Sequence, residues 1–312
     1  MGIPMSRIRM DARLPFLELG FVAALFGCAP KGRESAAARS DSAAAYRADS
    51  AQVNGTTLFY DVQGSGPVIV FAHGGGFDHR MWDDQVSAFR PFFTVVRYDA
   101  RGFGRSASTV GAPFQYHEDL AGLIRHLGYE RVSVVGQSLG GRVAVDLALT
   151  HPDLVEKLVL VGPGLSGWPW DRSGFESWIA RMGDAVKAGD SLAASEAWLS
   201  SSYMAPAMER PELRDRLRML SRANVRSFFE NGQEPELDPP AMKRLRDVRA
   251  PVLLVIGTRD EPEILKIGDT LTGQIAGVRR VMLEAAGHAP NIEQPERFNQ
   301  VVLEFLRSSG RP

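Results

Sequence analysis

The stretch that decides the fold is Val132-Ser133-Val134-Val135-Gly136-Gln137-Ser138-Leu139-Gly140-Gly141-Arg142-Val143-Ala144-Val145. Residues 132–135 form a short β-branched run and read as a buried strand. Residues 139–150 read as a helix. Between them stands Gly136-Gln137-Ser138-Leu139-Gly140, a G-x-S-x-G pattern. The pentapeptide alone is a weak signal, and a glycine-rich turn that only packs helix on strand would also carry it. Its position between a strand and a helix gives it weight. A turn that tight forces strained backbone angles on the serine and needs small residues on either side of it. Ser138 Oγ is then expected above the sheet, near the positive end of the helix.

Working outward, further apolar runs fall at 68–72, 93–98, 158–161, 252–256 and 281–283, each bounded by glycine or polar residues. Helical patterns fall at about 80–90, 114–127 and 294–307. Strands alternating with helices imply βαβ units. The expected fold class is therefore α/β, a mostly parallel doubly wound sheet with helices on both faces. Ahead of it, residues 57–62 alternate and Gly64-Ser65-Gly66-Pro67 follows as a turn, which reads as an antiparallel hairpin. The alternation stops between Gly164 and Asp247, where helical patterns and Pro or Gly stops replace strand runs. That insertion is longer than one crossover needs, and it reads as a helical cap over the strand ends, where ligands bind in open α/β sheets. The expected organisation is a core at 51–164, a cap at 165–246 and the rest of the core at 247–312.

A serine hydroxyl needs a base. His288, in Ala286-Gly287-His288-Ala289-Pro290 after the last expected strand, is the candidate. The base in turn needs a carboxylate to fix its tautomer. Asp260 follows the 252–256 strand, and the chain order Ser, Asp, His suits this fold. Glu261 is the competitor, and the shorter aspartate is preferred. An oxyanion needs two backbone donors. The N–H of Leu139 is one. The other comes from His73-Gly74-Gly75-Gly76, placed after the 68–72 strand, with Gly75 preferred over Gly76. No Gly-Lys-Ser/Thr follows, so a nucleotide loop is excluded. His73 is expected to brace this loop. His117, His126 and His151 fall in or beside expected helices and read as surface residues; His79 is undecided. Trp168 and Trp170 flank Pro169, lining an acyl pocket or packing the cap.

Composition narrows the class. Lys plus Arg number 36 and Asp plus Glu 37 among 312 residues, a balance that gives no electrostatic support for a nucleic-acid partner. No apolar run reaches the ~18 residues of a membrane span. The one cysteine, Cys28, permits no internal disulfide and no cysteine-based zinc site. Neither metal nor organic cofactor is implied.

Several motifs agree in order. Tyr98-Asp99-Ala100-Arg101-Gly102-Phe103-Gly104-Arg105-Ser106 joins the serine turn, the His73–Gly76 loop and the His288 loop with its following helix. Together they resemble the α/β-hydrolase superfamily from about Val53 to Leu306, outside the cap. Arg80-Met81-Trp82-Asp83-Asp84-Gln85 and the Gln-Ser-Leu-Gly-Gly turn look like its esterase and enol-lactonase branches. The resemblance implies a serine hydrolase acting on a small-molecule ester or lactone through Ser138, His288 and Asp260, with the 99–106 loop structural. Carbon–carbon bond hydrolysis and perhydrolysis use the same three residues, and a non-catalytic ligand-binding protein on this fold is the rival of another class.

At the N-terminus, Arg7, Arg9 and Arg13 precede an apolar stretch from Leu14 to Gly27, the order of a secretory signal. Its end at Cys28 resembles a bacterial lipoprotein signal, which implies lipidation of Cys28, export and membrane attachment through acyl chains. A plain signal peptide, or a start codon placed ahead of a cytoplasmic enzyme, are the other readings. Residues 29–50, rich in Ala, Ser, Arg and Asp, read as a flexible tether.

Overall fold

The first two strands, β1 (Arg47–Val53) and β2 (Thr56–Gln63), form a hairpin about Asn54 and Gly55. Both turn residues have positive φ, 45° and 74°, the signature of an Asn-Gly turn whose twist matches its strands. This corrects the expected start of the fold. Residues 47–50 belong to β1 and not to a tether, with Arg47 opposite Val62. Their side chains are exposed, so composition carries no trace of them; backbone pairing holds them in place. The computed structural model describes residues 46–108, 113–171, 176–225, 227 and 234–308. The expected signal, Cys28 and most of the expected tether lie outside these residues.

The remaining strands are β3 (Val68–Ala72), β4 (Thr94–Tyr98), β5 (Val132–Gln137), β6 (Val155–Val161), β7 (Val252–Gly257) and β8 (Arg279–Leu283). They form one eight-stranded sheet in the order β1-β2-β4-β3-β5-β6-β7-β8. β2 pairs antiparallel with β1 and β4, and every pairing from β4 to β8 is parallel. This is the expected α/β class. Every side chain of β5 and β7 is buried, which is why those strands read as continuous apolar runs. Where β2 meets β4, Asp61 stands opposite Arg97 and takes two hydrogen bonds from it, at 3.0 and 2.6 Å.

Helices α1 (Asp83–Phe89), α2 (Tyr116–His126) and α3 (Leu139–Thr150) connect the early strands. Between β6 and β7 come α4 (Glu176–Lys187), α5 (Ser191–Leu199), α6 (Ala205–Met208) and α7 (Pro211–Asn224), and no strand occurs there among the described residues. The chain ends with α8 (Pro262–Gln274), α9 (Pro290–Glu293) and α10 (Pro295–Arg307). None of these is long and apolar enough to cross a membrane.

The sheet order positions the site. From β3 the chain moves to β4 on one side, and later to β5 on the other. The loops leaving β3 and β5 diverge, which opens a crevice at their carboxyl ends. The His73–Gly76 loop and Ser138 sit at those two ends.

Candidate active site

Ser138 caps the start of α3 with φ 51° and ψ −110°, a conformation that costs a non-glycine residue roughly 1–3 kcal/mol. Three backbone bonds hold it there. Its N–H donates to Val161 O at 2.9 Å, and its carbonyl accepts from the N–H groups of Arg142 and Gly164, each at 3.0 Å. The flanking glycines are required by contact. A Cβ on Gly136 would strike the carbonyl of Gly140, and one on Gly140 would strike the carbonyl of Ala72.

His288 follows β8 and is buried. Its Nδ1 lies 2.8 Å from Asp260 Oδ1. Asp260 follows β7, and its Oδ1 also accepts the Glu261 N–H at 2.8 Å. Glu261, the competing carboxylate, has its pKa raised, first by burial and then by the charge of Asp260. The side chain that reaches the imidazole is Asp260. Glu293 clamps the loop from below, accepting from Gly287 N at 2.9 Å and Ala289 N at 3.1 Å. Gln137 clamps it from the side, its Nε2 donating to His288 O at 2.7 Å. The ring of Tyr203 meets the imidazole edge-on, centroids 4.7 Å apart.

Ser138 and His288 line one cavity of about 540 Å³, which also takes in Gly75 and Leu139. Among the described residues, neither the Gly75 nor the Leu139 N–H has a backbone or side-chain acceptor. Gly74 N–H instead points at Met81 Sδ, 3.3 Å away, and Gly76, at φ 75°, does not line the cavity. His73 braces the loop. Ala100 N–H donates to its Nε2 at 2.9 Å, and its Nδ1 meets Gly74 O at 2.8 Å. Burial lowers its pKa, against the pull of Asp99, which suits a neutral ring that accepts at one nitrogen and donates at the other.

The other histidines take structural places. His117 is buried, not at the surface as expected. It lies on the inward face of α2, and burial lowers its pKa against the opposing charge of Glu118. His79 is fixed by Asp99, whose Oδ1 lies 2.8 Å from its N and 2.7 Å from its Nδ1. Asp78, His79 and Asp99 sit close enough to suggest a cation site. Arg80 and Asn224 occupy Asp78, and His79 and Arg105 occupy Asp99. The cluster is therefore a hydrogen-bonded brace for the 99–106 loop.

The remaining described lining is rich in aromatic side chains and holds one ion pair. Phe103, Trp170, Trp178 and Trp198 face the cavity, while Trp168 turns away to donate its Nε1–H to Glu263 at 2.9 Å. The ion pair is Arg142 with Glu234. Neither residue stands out in the sequence, because they lie in separate segments that meet only in the fold. Arg142 Nη2 and Nη1 reach the two Glu234 oxygens at 2.6 and 3.2 Å. Burial works against the Arg142 charge, and Glu234 with Asp146 more than offsets it, so its pKa is raised.

Residues 69–301 match the alpha/beta hydrolase family. A 2-hydroxy-6-oxononadienedioate/2-hydroxy-6-oxononatrienedioate hydrolase of Burkholderia vietnamiensis is 31% identical over 273 residues, 81% of this chain and 93% of that one. The crystal structure of the enol-lactonase from Burkholderia xenovorans LB400 superposes with a TM-score of 0.70 at 31% identity, covering 83% of this chain and all of that one. A hydrolase from Pseudomonas aeruginosa PA01 gives 0.70 at 29%, covering 84% and 98%.

Proposed function

The chain belongs to the alpha/beta hydrolase family, and from that premise we propose that it cleaves a carboxylic ester or lactone of a small molecule through Ser138, His288 and Asp260. The observation that carries this reading is the buried His288–Asp260 pair, 2.8 Å apart, whose His288 lines the same cavity as the strained Ser138. With its Nδ1–H committed to Asp260, His288 presents Nε2 to take the Ser138 proton. Ser138 Oγ attacks the carbonyl carbon, and the oxyanion is received by the N–H groups of Leu139 and Gly75. His288 then protonates the leaving oxygen and activates a water that hydrolyses the acyl-enzyme.

The test pairs a fluorophosphonate probe with p-nitrophenyl esters of graded acyl length. Labelling and turnover are both expected, and both vanish in Ser138→Ala. Labelling that persists in that variant removes Ser138 as nucleophile. Labelling without turnover of any ester shifts the reading to carbon–carbon hydrolysis, which the same three residues could support.

The same reading extends to location. The basic, then apolar, order of residues 7–27 before Cys28 supports export and a lipid anchor. One acyl chain binds a membrane only marginally, so a stable anchor takes at least two signals. Intact-mass measurement on membrane extracts is expected to give a mature chain that starts at an acylated Cys28. An unmodified chain starting at Met1 would refute the anchor.

A further inference from the structure

Arg142 lies one helical turn beyond Ser138 on α3, on the same face of that helix. Among the described residues it is the one arginine or lysine lining the cavity, which also carries several aromatic side chains. A guanidinium with free N–H groups in that place would be a ready receptor for a substrate carboxylate. Here three of its five N–H groups already point at carboxylates. Glu234 engages it in a fork, at 2.6 and 3.2 Å, and Asp146 Oδ2 approaches it from behind at 3.5 Å. Both carboxylates are themselves held. Tyr116 N–H donates to Glu234 Oε1 at 3.3 Å, and the Ser166 hydroxyl donates to Asp146 Oδ2 at 2.6 Å. One positive charge therefore faces two acidic side chains in a partly buried position. An incoming carboxylate would either displace Glu234 or bind beside it, and in both cases it meets a guanidinium whose charge Glu234 and Asp146 already offset.

We infer that Glu234 is a specificity-determining residue that closes Arg142 to anionic substrates, so that the enzyme takes esters and lactones without a free carboxylate. Apolar or aryl groups fill the space beside Phe103, Trp170 and Trp198, and the Arg142–Glu234 pair serves as a neutral polar floor. This inference rests on the ester-cleaving reading of the same cavity. It concerns recognition, and it is measured by binding.

The experiment uses the full chain carrying Ser138→Ala, titrated calorimetrically at pH 8 with dimethyl suberate and with monomethyl suberate. The diester is expected to bind at least 10-fold more tightly. Adding Glu234→Gln should strengthen the monoester at least 10-fold and change the diester less than 3-fold, and adding Arg142→Gln as well should erase that gain. Glu234→Ala serves in place of Glu234→Gln if the latter melts early by circular dichroism. Three results overturn the inference: equal binding of both esters in the Ser138→Ala protein, an unchanged ratio when Glu234 is replaced, or binding of neither ester. None of them bears on Ser138 labelling, so failure of this inference and failure of the catalytic reading are told apart.

Discussion

The side-chain amide of Gln137 donates to the backbone carbonyl of His288 at 2.7 Å. The residue that precedes the candidate nucleophile thus holds the candidate base, across a sequence separation of 151. The bond is buried, and an unsatisfied buried carbonyl costs about 1–3 kcal/mol. In Gln137→Ala, kcat on a p-nitrophenyl ester is expected to fall roughly 10-fold with KM nearly unchanged, because a displaced imidazole weakens proton transfer more than substrate binding. Gln137→Glu places a second acceptor against the same carbonyl and should fall further. A rise in KM alone would assign Gln137 to the substrate pocket instead.

Asp260 holds His288 by one oxygen. Asp260→Asn keeps the shape but can stabilise the wrong imidazole tautomer. A loss of about 10⁴-fold in kcat is expected, as where the same change is made in a Ser-His-Asp site. The melting temperature should stay near that of the unsubstituted chain. Activity within 10-fold of the original would point to Glu261 as the working carboxylate.

Gly162, directly after β6, adopts φ 46°. A Cβ there would come 2.8 Å from Asp260 Oδ2 and 3.3 Å from His288 Nδ1. Gly162→Ala adds backbone strain of about 1–2 kcal/mol and also presses on the Asp260–His288 pair. A modest drop in melting temperature with a disproportionate loss of kcat is the expected pair of results. A melting shift with normal kcat would show that the pair has room to move.

Much of this was legible because the signals are local. The strands at 68–72 and 252–257 declare themselves through unbroken apolar runs, and the turn at Ser138 through glycines that contact demands. Asp260 and His288 follow from lying just beyond the ends of parallel strands. What was not legible depends on tertiary approach. Arg142 and Glu234 are 92 residues apart, and no periodicity relates them. His117 looked like a surface residue because α2 turns a partly polar face inward, where Asp119 is paired with Arg101 at 2.7 Å. The residues at 47–50 were hidden for the opposite reason: a strand with exposed side chains leaves no hydrophobic pattern.

Asp146 sets a pH dependence that can be isolated. Burial raises its carboxyl pKa to about 6 from an ordinary 3.8, against the opposing effects of Arg142 and Ser166. Its Oδ1 has no hydrogen-bond partner among the described residues, which is consistent with a poorly solvated charge. A folded-state pKa above the unfolded one means that the folded chain binds more protons between about pH 4 and 6. Its stability therefore falls as pH rises through that window, by up to about 3 kcal/mol from this group. Burial raises Glu261 and Glu293 as well, with the same sign. Asp78 acts in a separate window. Despite burial, Arg80 and Asn224 lower its pKa to about 2, so its contribution is present above pH 4 and lost as pH falls through 2. Asp146→Asn keeps an acceptor for the Ser166 hydroxyl and removes the titration. Any cost of its buried amide is independent of pH. Urea denaturation of both chains at pH 4.5 and 7.5 should show the variant gaining on the original as pH rises, by about 1–3 kcal/mol. A difference that stays constant between the two pH values would mean that Asp146 titrates as an ordinary aspartate.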